Sequence, residues 1–364
     1  MFNFRFAIAL GLALALIGCA NASVPAQAQS PTSQPSNDST KQLSNYPTLL
    51  FTIGMHIEPL GATPSALVKA NANNAGQNAS YTNGALFQRH VQDINTVASI
   101  VEKHNGRMTI QAQTPFTSVA AKSGDKILAN LEARGHEIAL HFHEDAHLGK
   151  NGSSLSIETW CAVMQEEINF IHQAGAKNPI RYWSGGNLYA GTLQAAACAG
   201  LDVNSDWKNP QTQSTPLELT GLNPWRPAGG STASDVSAFA RHDANGKIIF
   251  LPEGGYKRGD FAAMRRSENA GGDEAYFEFL KTSFLQSLAS ASADKVNVFH
   301  FTVHPGEFRG DPKNAFAVID RFLSEVVDPN VKTGKVKWAT LAEMADAFKA
   351  WEKTHPGIAP REAQ

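Results

Sequence analysis

The feature that most constrains the fold of this chain is a repeated alternation of strand-like and helix-like segments between residues 49 and 351. The strand-like segments are short apolar runs, and the helix-like segments carry apolar residues near a 3.6-residue period. Glycines such as Gly135, Gly175 and Gly200 separate them. This alternation predicts an α/β protein with a parallel sheet, either a (β/α) barrel of seven or eight strands or an open doubly wound sheet, and we prefer the barrel.

The predicted elements fill one domain, residues 47–354, followed by a tail at residues 355–364. Strands are predicted at residues 49–55, 108–112, 137–143, 180–183, 202–205, 247–251, 296–304 and 336–338. Helices are predicted at residues 86–104, 125–134, 157–174, 190–199, 274–289, 314–327 and 341–351. The stretches 71–83 and 209–235 are predicted to be long loops, and loops that follow strands build the sites of α/β proteins.

The charge balance and the motif content exclude several classes of partner. The chain has 31 Lys+Arg against 33 Asp+Glu, a formal net charge of −2, and no basic run of the kind that nucleic-acid binding needs. No glycine-rich phosphate loop such as GxGxxG follows a predicted strand, so we expect no nucleotide. The three cysteines include no CxxC pair, so a metal would have to be held by His, Asp and Glu.

The first 46 residues are predicted to be an export signal and a spacer. In residues 1–19 a short basic region precedes an apolar run, which is typical of a secretory signal. Leu16-Ile17-Gly18-Cys19 resembles a bacterial lipobox, in which Cys19 becomes a lipid anchor in a membrane. Residues 20–46 are rich in Ser, Pro, Gln, Thr and Asn and are predicted to be a flexible linker.

We therefore expect an exported protein, a periplasmic or cell-surface lipoprotein, with plain secretion as the alternative. In an oxidising compartment Cys161 and Cys198, which both lie in helix-like segments, either pair or remain buried thiols.

Alternation of side chains along a strand places His, Glu and Arg at matching positions of several strands. The matching polar faces carry, in chain order, Thr52, Gly54, His56 and Glu58 on the first strand, His141 and His143 on the third, and His300, Thr302 and His304 on the seventh. Arg181 and Trp183 share a face in the same way. Barrel enzymes assemble their sites at the carboxyl ends of their strands, so a site is predicted there.

Residues 141–147, with the sequence His-Phe-His-Glu-Asp-Ala-His, hold three imidazoles and two carboxylates. Neutral imidazole together with carboxylate is a ligand set for divalent metals. An exposed loop that is merely rich in histidine is the alternative. The separate His56/Glu58 and His300/His304 pairs on matching faces favour the metal site.

Residues 135–143, with the sequence Gly-His-Glu-Ile-Ala-Leu-His-Phe-His, resemble the second motif of the polysaccharide deacetylase family. These are carbohydrate esterases with a distorted (β/α) barrel and a bound divalent metal. Residues 52–58 stand where the family has its first, aspartate-containing motif. Residues 181–186 resemble its third, arginine-containing motif, and residues 303–307, Val-His-Pro-Gly-Glu, resemble its late histidine motif. The resemblance covers residues 49–348.

The chain departs from the family pattern in two places, so the resemblance indicates a divergent member. His56 and Glu58 stand where the family has two aspartates. Position 145 is Asp, where the family commonly has its second metal-binding histidine.

Carried over residue by residue, the resemblance implies a divalent metal bound by Glu58, His141 and a second histidine, either His143 or His147. Zinc is the first expectation, with cobalt, nickel or manganese as alternatives.

The same resemblance implies His304 as the general acid that protonates the leaving group. The residues nearest to the general base are His56 or Asp145, with Arg181 as an orienting partner.

The function that the resemblance implies is a metal-dependent deacetylase that removes N- or O-acetyl groups from an envelope or extracellular polysaccharide. One alternative is a non-catalytic, lipid-anchored carbohydrate-binding protein on the same barrel. Another is a glycosidase-type hydrolase, which would need two carboxylates across a sugar, with Glu253 and Asp206 as conceivable partners. The aromatic residues expected to stack on sugar rings are Trp183, Trp207, Trp225 and Tyr256.

Overall fold

The computed structural model describes residues 47–58, 61–71, 81, 83–149, 151–207, 215–254, 272–307 and 316–361, and these residues lie in one compact unit. The predicted signal with Cys19, the linker and Tyr256 lie outside the described residues, so the statements made of them above stay predictions. In the described part of the chain, no helix combines the length and the apolar character needed to cross a membrane.

One parallel sheet organises the molecule. Its strands are β1 (Leu49–Ile57), β2 (Thr109–Ala112), β3 (Glu137–His141), β4 (Tyr182–Ser184), β5 (Val203–Ser205), β6 (Ile249–Phe250), β7 (Asn297–Val303) and β8 (Val336–Trp338). They follow the order β6-β5-β4-β3-β2-β1-β7, and β8 pairs with the first residues of β1. From β1 to β6, each strand pairs with the next strand along the chain. A barrel requires this stepwise order, whereas the strand order of a doubly wound sheet reverses.

The two edges of this curled sheet approach each other. The Val298 amide of β7 donates to the Leu222 carbonyl at 2.8 Å, and the His300 amide donates to the Glu253 carbonyl at 3.3 Å. Trp225 forms a bridge with Phe250 of β6. Residues 221–225 and 253 therefore join β6 to β7 without a regular ladder, and the prediction of a distorted barrel is confirmed.

Helices follow the strands and cover the outside of the sheet. They are α1 (Gly84–Lys103), α2 (Phe116–Ser123), α3 (Ile127–Ala133), α4 (Glu144–His147), α5 (Ile157–Gln173), α6 (Ala190–Cys198), α7 (Val236–Ala240), α8 (Asp273–Ala289), α9 (Ala317–Phe322), α10 (Asp328–Lys332) and α11 (Leu341–Thr354). The three long predicted helices, at residues 86–104, 157–174 and 274–289, are present with ends shifted by at most two residues. The short α2 and α4 were not predicted, because a few residues give too little periodic signal.

Two apolar clusters lie on opposite faces of the sheet. Phe51, Leu140 and Phe301 belong to the larger one, which packs under the surrounding helices. The smaller one joins Ala139, Tyr182, Val203, Ile249 and Val298 to the apolar side of the last helix, α11. These strand residues lie early in their strands, so α11 covers the amino-terminal end of the barrel with its apolar side. The polar side chains lie at the carboxyl-terminal end.

A disulfide between Cys161 and Cys198 joins α5 to α6. Of the two alternatives that the sequence left open, the structure therefore shows the paired cysteines. The two helices follow β3 and β4, whose ends carry part of the polar interior.

We expect reduction of this disulfide to lower the free energy of unfolding. The two cysteines are 37 residues apart, and closing a loop of that size lowers the entropy of the unfolded chain by an amount worth about 4 kcal/mol at 25 °C. Urea unfolding with and without reductant measures the difference. A Cys161→Ala/Cys198→Ala variant is the control, since its unfolding midpoint should be low and should not respond to reductant. An unchanged midpoint for the reduced wild type would contradict the expectation.

Candidate metal centre

The carboxylate of Glu58, directly after β1, is the point at which four imidazoles converge. Its Oε2 lies 2.5 Å from His143 Nε2 and 3.1 Å from His141 Nε2. Its Oε1 lies 3.2 Å from His304 Nε2 and 3.8 Å from His56 Nδ1. The rings come from the carboxyl ends of β1, β3 and β7, which a parallel barrel brings together.

The second nitrogen of each ring faces an oxygen of another residue. The four pairs are His141 Nδ1 with Ser184 Oγ at 2.5 Å, His304 Nδ1 with Glu307 Oε1 at 3.2 Å, His56 Nε2 with Asp206 Oδ2 at 3.8 Å, and His143 Nδ1 with Asp145 Oδ1 at 4.0 Å. Ser184 and Glu307 therefore orient the His141 and His304 rings from outside, while the oxygens beside His56 and His143 lie farther away.

His56, Glu58 and His141 form a group that can hold a metal ion, because one ligand atom of each lies within 4.8 Å of the others. The His56 and His141 rings stack at 4.1 Å between centroids. Among the described residues, neither ring nitrogen of His56 has a hydrogen-bond partner, and His141 Nε2, although 3.1 Å from Glu58 Oε2, is not aligned for a regular hydrogen bond. Buried nitrogens without hydrogen bonds lower the stability of a fold, and a divalent cation would give these nitrogens a partner. The donor set, two imidazoles and a carboxylate, fits zinc.

The charge states of these three residues suit metal binding. Burial lowers the pKa of His141 to about 4, although Glu58 opposes the shift. Burial, followed by the neighbouring His141, also holds the pKa of His56 well below its usual value. For Glu58, burial would raise the pKa, but His141 and His143 outweigh it and the pKa lies well below its usual value. At neutral pH the group therefore presents neutral imidazoles and a carboxylate, which are the forms that ligate.

His304 is held on the other side of Glu58 by its own loop. Glu307 accepts a hydrogen bond from the His304 backbone amide at 2.9 Å, besides its contact with Nδ1. Asp93 of α1 accepts one from the Gly306 amide at 2.8 Å. The sequence analysis gave no role to Glu307, although Glu307 lies in the segment Val-His-Pro-Gly-Glu that resembles the late histidine motif.

His143 and Asp145 lie at the mouth of the barrel. β3 ends at His141, two residues earlier than predicted, and His143 is the N-cap of α4. Its side chain is 33% exposed and that of Asp145 is 67% exposed, whereas the His56 and His141 side chains are 1% exposed. The metal-capable group is thus buried, and the His143/Asp145 pair faces solvent beside it.

The loops after β3 and β4 touch through their backbones. A Cβ on Gly185 would lie 2.8 Å from the Phe142 carbonyl oxygen, and one on Gly186 would lie 2.9 Å from Glu144 Oε2. Both glycines have positive φ, 81° and 85°. The Asn187 amide also donates to Glu144. The close approach fixes the loop after β4 against the segment that carries His143.

The structure turns His147 away from the site. Its Nδ1 donates to the His143 carbonyl at 2.9 Å, its ring stacks on Phe142 at 4.6 Å, and its Nε2 lies 3.6 Å from Glu167 of α5. These contacts place His147 beside Phe142 and α5, on the side of the segment that faces the larger apolar cluster. Of the two predicted alternatives for the second histidine, His143 is therefore the one near Glu58. His56, expected as a base, joins the metal-capable group instead.

Arg181 also lies away from the site, contrary to the expectation. It precedes β4, at the amino-terminal end of the sheet, and its guanidinium pairs with Asp202 at 3.0 Å and Asp346 at 2.8 Å. These hydrogen bonds, that to Asp346 first, raise its pKa. The predicted face of β4 is the wrong one, since Ser184 pairs with His141 while Trp183 packs in the outer core.

The three tryptophans expected to stack on sugar rings are not exposed to a ligand. Trp183, Trp207 and Trp225 are fully buried, and the Trp225 indole donates to the Phe239 carbonyl. Their indoles pack in the larger apolar cluster.

Comparisons with known proteins identify structures of similar fold but no related sequence family. No family model and no curated protein matches the chain. Among solved structures, a candidate polysaccharide deacetylase from Mycobacterium smegmatis superposes with a TM-score of 0.55 at 13% identity, over 88% of this chain and 95% of that one. A 4-alpha-glucanotransferase from Thermococcus litoralis gives 0.51 at 12% identity, over 83% of this chain and 41% of that one.

The alpha-amylase AmyC from Thermotoga maritima gives a TM-score of 0.44 at 10% identity, over 83% of this chain and 74% of that one. At identities this low, the two superpositions with TM-scores above 0.5 show a shared fold and nothing more. The protein is thus an α/β barrel of the architecture that the first two of these proteins share.

We expect zinc to bind at the His56/Glu58/His141 group. Titration with a competing chelator should give one tight site in the wild type, and His56→Ala or His141→Ala should weaken it by more than about 100-fold, because even outer residues of metal sites cost 10- to 100-fold. His147→Asn is the matched control from the same segment and should bind zinc like the wild type. Zinc binding that depends on His147 would contradict the assignment. Thermal unfolding shows whether each variant is folded.

Replacing Arg181 should affect stability alone. Arg181→Met removes two partly exposed ion pairs, so the free energy of unfolding should fall by about 1 kcal/mol. Zinc affinity should not change. A loss of zinc affinity or activity without a loss of stability would contradict this assignment and indicate that Arg181 acts at the site.

Proposed function

We propose that the protein is a metal-dependent hydrolase that removes acetyl groups from a polysaccharide. The observation that carries the proposal is the position of His304, oriented by Glu307 and directed at the Glu58 carboxylate of the metal-capable group. The sequence resemblance to polysaccharide deacetylases and the shared fold support the same class.

In this proposal His56, Glu58 and His141 hold the cation. A divalent metal, zinc in the first instance, supplies there a water of lowered pKa and a positive charge that stabilises an oxyanion. Hydrolysis of the acyl bond consumes one water and gives acetate and a free amine or hydroxyl on the sugar.

The two flanking imidazoles supply the proton transfers. His304 donates the proton at Nε2 to the leaving nitrogen or oxygen, while Glu307 fixes its Nδ1. His143 accepts a proton at Nδ1, which faces Asp145 at the mouth of the barrel, because its Nε2 donates to the Glu58 carboxylate. This assignment replaces the expected base, His56, which is buried among the ligands.

The substrate in this proposal is an envelope or extracellular glycan. The predicted signal and the Cys161–Cys198 disulfide support export, since disulfides persist in oxidising compartments. A lipid anchor at Cys19 is part of the same proposal and rests on the lipobox sequence alone.

Acetate release from acetylated glycans tests the function. The zinc-loaded wild type should release acetate, a chelator should abolish the release, and zinc should restore it. His304→Gln should lower kcat by about 10²- to 10⁴-fold, the usual contribution of a general acid, while zinc affinity stays unchanged. Arg181→Met, which lies away from the site, is the control for nonspecific effects.

Other outcomes point to the alternatives. Zinc-independent glycan binding without acetate release would indicate a binding protein. New reducing ends without acetate would indicate a glycosidase.

A further inference from the structure

Asp206 occupies an unusual backbone position at the edge of the metal-capable group. It directly follows β5, which ends at Ser205, and its φ is 65°. This left-handed region is unfavourable for residues with a Cβ, and Asp and Asn are among the few that adopt it. The next residue, Trp207, is fully buried and packs against Phe239 at 5.2 Å. The chain thus turns sharply between a strand and an anchored tryptophan.

The turn brings a buried carboxylate to the outer side of His56. Asp206 is 5% exposed, and its Oδ2 lies 3.8 Å from His56 Nε2. The other ring nitrogen, Nδ1, lies 3.8 Å from Glu58 Oε1. The imidazole is therefore placed between two carboxylates, one at each nitrogen. Neither pair is within hydrogen-bond distance, which requires a nitrogen-to-oxygen separation nearer 3 Å.

A neutral imidazole carries one proton, and its location decides which nitrogen can bind a metal. A proton on Nε2 would be donated to Asp206 and would leave the Nδ1 lone pair directed at Glu58. A proton on Nδ1 would prevent this nitrogen from binding a metal beside Glu58. Metal-binding histidines commonly donate their outer N–H to a carboxylate, which fixes both the tautomer and the ring.

We propose that Asp206 is a positioning residue that holds His56 as a metal ligand through Nδ1, in the way that Ser184 holds His141. The inference rests on the metal site of the proposed function. It adds a residue that follows β5 to a site whose rings come from β1, β3 and β7 and whose outer oxygens include Ser184 of β4. With no aspartate on β1, the chain supplies its second carboxylate from the end of β5.

Two substitutions separate this role from a structural one. Asp206→Asn keeps the shape and tolerates the positive φ, but removes the negative charge. Asp206→Gly removes the side chain and relieves the backbone strain, since glycine adopts positive φ readily. If the carboxylate positions His56, both variants should bind zinc about 10- to 100-fold more weakly than the wild type. The thermal unfolding temperature of the metal-free Gly variant should stay the same or rise.

The measurement is a zinc titration against a competing chromophoric chelator, with the absorption spectrum of the cobalt-loaded protein as a second readout. A changed cobalt spectrum in both variants, with intact thermal unfolding, supports the proposal. Equal zinc affinity in wild type and variants overturns it and leaves the proposed function standing. Unchanged affinity and spectrum with lost acetate release also overturns it, because Asp206 would then act on the reaction itself. A wild type that binds no zinc overturns the metal site and this inference together.

Discussion

The site depends on one partly buried carboxylate among four imidazoles. Glu58 lies within 4 Å of ring nitrogens from His56, His141, His143 and His304. Imidazole rings keep such an arrangement around an ionised carboxylate when they are held from outside, because a ring free to rotate would turn to water. Strand ends hold three of the rings, and Ser184 and Glu307 fix two of them by their far nitrogens. The positions of these outer oxygens thus matter as much as those of the ligands.

The division of the barrel interior explains why this arrangement is possible. The last helix, α11, packs its apolar side on the first residues of the strands, and the polar residues occupy the strand ends beyond it. The apolar side of this helix closes the amino-terminal end of the barrel beneath the histidines and carboxylates. Burial lowers the pKa values of His56 and His141 and keeps these two rings neutral.

Sequence patterns predicted the barrel and the inward faces of β1 and β7 because these two strands are long. Alternation over nine and seven residues fixes which side chains face inward. β4 has three residues, its predicted start was two residues early and its predicted end one residue early, and Arg181 was assigned to the wrong face. His147 was misplaced because one short helical turn has no periodic signal. Asp206 depends on a single backbone angle after a strand, and no pattern in the sequence marks such an angle.

The contact between the loops after β3 and β4 constrains how this protein can diverge. Gly185 and Gly186 leave no room for side chains against the Phe142 carbonyl and the Glu144 carboxylate. An insertion in either loop would therefore collide with the other, and changes in the two must be inherited together. In related chains the pair of loops beside His143 should therefore be retained, and new substrate preferences should arise outside it.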